Sequence, residues 1–160
     1  MRRFIVVASL VGAMFCAAGG VASANPVEGH AASVVHVVVI HARDGSVAVA
    51  AKVFIHGRAF PFLIDTGATK SVLNPVIVRR LHLKLTGKPR KFCGVAACST
   101  GRRVHVSHWR IGGVALPSIN VDSTAIAGTG NTGFGLLGSD VLSKFGSVTI
   151  NYRAQTLTLG

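Results

Sequence analysis

The chain has 160 residues, with 17 Lys+Arg against 5 Asp+Glu (net charge +12), three cysteines, 19 glycines, and 49% hydrophobic but only 6% aromatic residues. The apolar fraction excludes a disordered basic tail, and the glycines follow no collagen repeat. The acid count restricts chemistry most: a two-carboxylate mechanism must draw on Glu28, Asp44, Asp65, Asp122 and Asp140, or borrow from another chain.

Residues 1–24 read as a secretory signal peptide. Arg2 and Arg3 precede an apolar run over residues 4–18, and Ala22-Ser23-Ala24 is a small-x-small cleavage site. A membrane anchor is the competing reading, but a span needs about 20 apolar residues and Gly19-Gly20 interrupts too early. Met14 and Phe15 before Cys16 are larger than lipid-anchor processing favours. Cleavage removes two arginines and no acid, so the charge falls from +12 to +10. Export would leave Cys93 and Cys98 where disulfides persist, and this C-x4-C pair could staple a hairpin tip, contributing at most about 2 kcal/mol. Two cysteines alone make a poor zinc site, and His105 and His108 at i and i+3 on a strand point to opposite faces. No metal is expected.

Residues 25–33 form a flexible lead-in, and 34–160 one domain. Residues 33–42 and 47–56 are β-rich runs joined by the Asp44-Gly45 turn, and 60–64 form a strand ending at Asp65. Asn74-Pro75 starts a short helix over 75–81. Residues 86–91 read as a basic, turn-rich connector, and 103–111 and 114–121 as a hairpin about Gly112-Gly113. After a glycine loop at 128–135, Leu136-Leu137 is a short buried segment. Ser139 caps a helix over 140–145, and 148–152 with 156–159 close the chain as a hairpin. Short strands at such spacing, with two helical turns, predict a mainly β barrel or sandwich.

Two motifs bear on chemistry. Residues 128–133 match G-x-G-x-x-G, but no acid follows Asp140 and too little chain remains for a dinucleotide fold. The scattered basic residues lack interleaved aromatics, so no nucleic acid is expected as partner; a solvated basic surface or weak association with anionic envelope surfaces fits better. The other motif, Asp65-Thr66-Gly67-Ala68-Thr69, presents a carboxylate at the end of an apolar strand. Asp and Gly are also ordinary turn residues, but the same chain later offers Gly135-Leu136-Leu137-Gly138.

With residues 62–73 (FLIDTGATKSVL), 135–145 (GLLGSDVLSKF) and 148–159 (VTINYRAQTLTL), the chain resembles the retropepsin-like aspartic proteases, in particular bacterial exported members. The resemblance runs from about Val47 to the end. It implies a mainly β, single-lobed, closed β-barrel with one or two short helices over 34–160. Asp65 would be the catalytic carboxylate in an active-site loop with Thr66, Gly67, Ala68 and Thr69. Thr66 would lock two such loops across a two-fold axis, and Gly67 would let them approach. Leu136, Leu137 and Gly138 would pack beneath as the supporting loop. Residues 92–104 stand in the place of the flap, although no tyrosine sits there, and Asn151 replaces a frequent aspartate with only a turn contact expected.

The family's chemistry needs two close carboxylates sharing a proton. Asp44, Asp122 and Asp140 have ordinary explanations, in a turn, at a strand end and at a positive helix end respectively. The resemblance therefore implies a homodimer with two Asp65 residues, no cofactor, and a peptide or protein substrate. Ala68 stands where many relatives carry serine, which implies an activity optimum nearer neutral than that of digestive relatives. The alternatives are a catalytically inactive module of this fold, binding peptides or anionic envelope components, and a monomer with a redundant site.

Overall fold

The computed structural model describes residues 32–93, 98–126, 129 and 132–160. The expected signal peptide and lead-in up to residue 31, and the residues Gly128, Gly130 and Asn131 of the G-x-G-x-x-G motif, lie outside the described residues. Among the described residues no helix is long and apolar enough to cross a membrane.

The fold is mainly β. Strands β1 (Ser33–His41), β2 (Val47–Ile55) and β3 (Arg58–Ile64) pair antiparallel in succession. β1 alternates in burial, with Val35 and Val37 inward and Val34 and Val38 outward, as a half-buried strand should. Its first residues, Ser33 to His36, pair instead with β12 (Thr156–Leu159), which pairs with β11 (Val148–Asn151) as expected. The Asn151 side chain accepts from the Ala154 N–H at 2.9 Å, the anticipated turn contact.

β4 (Val72–Leu73) leads into α1 (Pro75–Arg80), whose Asn74 cap accepts the Val76 N–H at 3.0 Å while Pro75 opens the first turn. Val76, Ile77 and Val78 face the core.

The middle of the chain departs from expectation in two places. Residues 86–91 lie within β5 (Leu85–Cys93), which forms a long hairpin with β6 (Cys98–Val106). Pairing with β6 overrides the local turn preference. Gly87 and Pro89 fall in the register break between Thr86 and Arg90, where a missing proline N–H costs no ladder bond. The predicted 103–111/114–121 hairpin is also split. His108, at φ 50, turns the chain, so that β6 pairs with β9 (Ile119–Ser123) while β7 (Trp109–Ile111) leaves to pair with β2 and with β8 (Val114–Ala115).

β10 (Gly135–Leu137) threads between β3, to which it is parallel, and β4, to which it is antiparallel; β4 in turn lies parallel to β9. The predicted 140–145 helix is instead α2 (Ser139–Leu142), followed by a 3₁₀ turn at Ser143–Phe145. Its cap is Gly138, not Ser139, with no side-chain hydrogen bond, because the Ser139 hydroxyl is drawn to Thr66.

One core joins these elements. Phe62, Ile55, Leu73, Ile77, Ile111 and Leu137 are fully buried. Trp109 packs at a 59° tilt against Phe62, and its indole N–H donates to the Pro117 carbonyl at 2.8 Å, so its one polar atom is satisfied. Gly135 lies against the Phe62 ring, where a Cβ would overlap three ring carbons.

Gly135→Ala should therefore lower stability by about 1–3 kcal/mol through overpacking. The open-space control Gly113→Ala should shift the urea midpoint far less.

Candidate active site

β3 delivers Asp65 to the surface at its C-terminal end, where the carboxylate is half-buried. β3 is buried on one side only: Phe60 and Phe62 are buried, while Ala59 and Pro61 are exposed. Backbone donors fix the Asp65 carboxylate. The Gly67 N–H reaches Oδ1 at 2.9 Å and the Ala68 N–H reaches the same oxygen at 3.1 Å. A Cβ on Gly67 would sit 3.3 Å from that oxygen, so the small residue keeps the loop tight around the acid. Thr66, Gly67 and Thr69 are exposed.

The two predicted segments meet. The Asp65 N–H donates to the Leu137 carbonyl at 3.0 Å, and the Ser139 N–H donates to the Ala68 carbonyl at 2.8 Å. Gly138 lies against the 68–70 backbone; a Cβ there would stand 2.7 Å from the Lys70 carbonyl. Leu136 and Leu137 lie in β10, paired with Leu63 and Ile64. The Ser139 hydroxyl donates to the Thr66 carbonyl at 2.7 Å, tying the supporting segment to the exposed turn.

Ser71, Asp140 and Ser139 are the site residues that sequence reasoning missed. The Ser71 N–H and hydroxyl donate to Asp140 Oδ1 at 2.9 and 2.7 Å, and the Ser71 hydroxyl oxygen accepts the Gly138 N–H at 3.0 Å. Asp140 is thus a clamp across the chain and not merely a charge at a helix end. A small hydroxyl residue shortly after the Asp-Thr-Gly turn, and an acid shortly after Leu-Leu-Gly, were the available signal. Nothing local says that the two meet.

The other acids are engaged elsewhere. Asp44 accepts from the Ser46 N–H and hydroxyl within its turn, and these bonds hold its carboxyl below the ordinary range. Asp122, 8% exposed, lies across the ladder from Arg103. Burial raises its carboxyl above the ordinary value, Asp140 adds to the rise, and the charges of Arg103, Lys70 and Arg90 oppose it. Glu28 lies outside the described residues.

β5 and β6 form a hairpin that includes the described part of the expected flap segment 92–104, residues 94–97 lying outside the described residues, with Cys93 and Cys98 paired across it in backbone register. Gly101 lets this hairpin approach β9, since a Cβ there would overlap the Ser123–Thr124 backbone and side chain. The His105 ring is bonded to Asn120 and Ser118. A groove of about 690 Å³ runs along β1, β2 and β3, lined by residues such as Val38, Phe54 and Pro61, and includes no residue of the 65–69 loop.

The aspartyl protease family profile matches residues 49–141, a span from β2 through Asp65 to α2 that covers over half the chain. Among solved structures, the chain is similar to a retropepsin-like aspartic protease from Rickettsia conorii, with 17% identity, a TM-score of 0.54, and coverage of 81% of this chain and 99% of that one. The mainly β, retropepsin-like fold expected from the sequence is thereby found. No curated protein matches the chain.

Ser71→Ala should cost about 1–3 kcal/mol in urea unfolding, because it strands the buried Gly138 N–H and removes a donor from Asp140. Asp140→Asn, which keeps an acceptor oxygen, should cost less than Asp140→Ala. Asp122 adds a pH test. With its folded pKa raised, the native state binds that proton more tightly than the unfolded chain, so its contribution to stability falls as pH rises above the ordinary value of 3.8. Asp122→Asn should remove this decline, as read from urea midpoints between about pH 3 and 7.

Proposed function

The chain belongs to the aspartyl protease family, with a retropepsin-like fold, and from that premise we propose that it is an exported aspartic endopeptidase, active as a homodimer. One observation carries the reading. Asp65 is held at a strand end by two backbone donors, while Asp44, Asp122 and Asp140 are each committed to other partners or surroundings. Each chain thus supplies one suitable carboxylate among its described residues. A two-fold axis beside the exposed Thr66-Gly67 turn would bring two Asp65 groups together, since an isologous interface repeats the same residue on both sides.

The chemistry follows from that pair. The ionised carboxylate takes a proton from a water molecule as the water oxygen attacks the scissile carbonyl carbon. The protonated partner gives its proton to the carbonyl oxygen, producing a tetrahedral diol. Collapse breaks the C–N bond as one carboxyl donates to the leaving nitrogen and the other recovers a proton from the diol. Gly67 and Ala68 hold the acid in place for both steps. No cofactor enters this sequence.

The β5–β6 hairpin would act as the flap over a bound peptide or protein. Cys93 and Cys98 are direct partners across it, which supports a disulfide at its outer end after export. The signal-like residues 1–24 support a periplasmic or secreted location.

The test is cleavage of a denatured protein with and without pepstatin, together with the solution mass. The wild-type protein should cleave, be inhibited, and sediment as a dimer. Asp65→Asn should abolish cleavage while the dimer and the urea midpoint persist; full activity in that variant would reject the site. The pH–rate profile should be bell-shaped and peak well above the strongly acidic range of digestive relatives, and a maximum near about pH 2 would contradict the reading of Ala68. Absence of cleavage at any pH, with salt-sensitive binding to anionic vesicles or glycans, would leave the non-catalytic module as the better account.

A further inference from the structure

The charge along the sheet face that carries Asp65 points to a class of substrate. Register lines up one continuous row across the sheet: Leu63, Leu136, Val72, Asp122 and Arg103 are successive cross-strand partners. The row lies on the face opposite the core. Leu63, Leu136 and Val72 are only half-buried, whereas their neighbours Phe62, Leu137 and Leu73 are fully buried. Asp65 follows Leu63 by two residues, so the row runs from the acid toward the β5–β6 hairpin.

The far end of this row is cationic. Arg103 is exposed on β6, Arg90 is exposed opposite Gly101 two residues further along, and Lys70 is exposed in the loop that carries Asp65. Their charges converge, since Arg103, Lys70 and Arg90 all act on the buried Asp122 carboxyl. Asp140 acts on the same carboxyl in the opposite sense, so three cations stand against two acids there. The neighbouring Arg102 is different in kind: it is turned back onto the Gly87 and Leu85 carbonyls and serves the hairpin itself. The exposed cations thus lie along the row that leads away from Asp65.

We propose that this face selects peptides carrying Asp or Glu next to the scissile bond, with Lys70, Arg90 and Arg103 as the residues that determine specificity. The inference rests on the aspartic-protease reading. In a symmetric dimer the cluster occurs twice, once on each side of the bond, so an acidic residue on either side should help and two should help more.

The experiment uses matched peptides that differ only at the flanking positions: Glu, Gln or Lys. At low salt kcat/KM should fall in that order by roughly tenfold per step, with the differences shrinking at high salt. Lys70→Glu and Arg90→Glu should invert the order while the Gln peptide remains a pepstatin-sensitive substrate. Equal rates for the Glu and Lys peptides, or an order unmoved by the charge reversals, would overturn the proposal. If no peptide is cleaved, the protease reading fails separately. Fluorescence anisotropy with the Asp65→Asn protein then reads selection without catalysis: tighter binding of the Glu peptide supports it, and equal binding overturns it. Phosphatidylglycerol vesicles that bind the protein and exclude the Glu peptide would assign the cluster to a membrane surface and overturn it as well.

Discussion

Everything near Asp65 depends on how Ser71 meets Asp140. The two residues are 69 positions apart, yet Oδ1 of Asp140 accepts both the main-chain and side-chain donors of Ser71. The same serine accepts from Gly138 and, through its carbonyl, from the Asp122 N–H. One short residue thereby ties β4, β9, β10 and the start of α2 into a single unit. These hydrogen bonds are partly buried, which strengthens them relative to exposed ones. A helix of one turn, without a capping side chain, is held by this tertiary bond and by packing of Val141 and Leu142.

The clamp explains why glycine recurs on the supporting strand. β10 is inserted between two strands already committed to other partners, and its backbone must come within contact of Phe62 at one end and of the 68–70 loop at the other. Side chains at Gly135 or Gly138 would hold β10 off. With β10 seated, the Leu137 carbonyl receives the Asp65 N–H, and the acid's position becomes a consequence of core packing. A carboxylate held in this way has its position set by the backbone before any ligand is present.

Charge has a different logic. The excess of basic residues first reads as a property of the whole surface, relevant to solubility and to long-range attraction. The register divides it. Arg102 is absorbed by backbone carbonyls, Arg58 by the Arg80 carbonyl, and Arg110 stacks 3.9 Å over the Phe54 ring, so these serve the fold. Lys70, Arg90 and Arg103 converge on Asp122, with Asp140 acting on it in the opposite sense. Position, more than number, separates the cations that serve the fold from those we propose a substrate meets.

Several elements were legible from residues alone because their causes are local. The Asn74-Pro75 start of α1, the alternation of β1 and the closing β11–β12 hairpin follow from capping, period-two burial and turn chemistry. Asp65 and Leu136–Gly138 stood out as a pair of motifs, and through them a family resemblance. Others were misread because their causes are distant: residues 86–91 became strand through β6, the 103–121 hairpin divided because β7 found β2, and Ser139 turned from capping to Thr66. The five acids show the division most clearly. Composition by itself determined that one chain is poor in carboxylates, and motif chemistry singled out Asp65, since these depend on residue identity. That Asp140 clamps Ser71, and that Asp122 lies buried among cations, was decided only by the tertiary structure, because those environments are built by segments far apart in the chain.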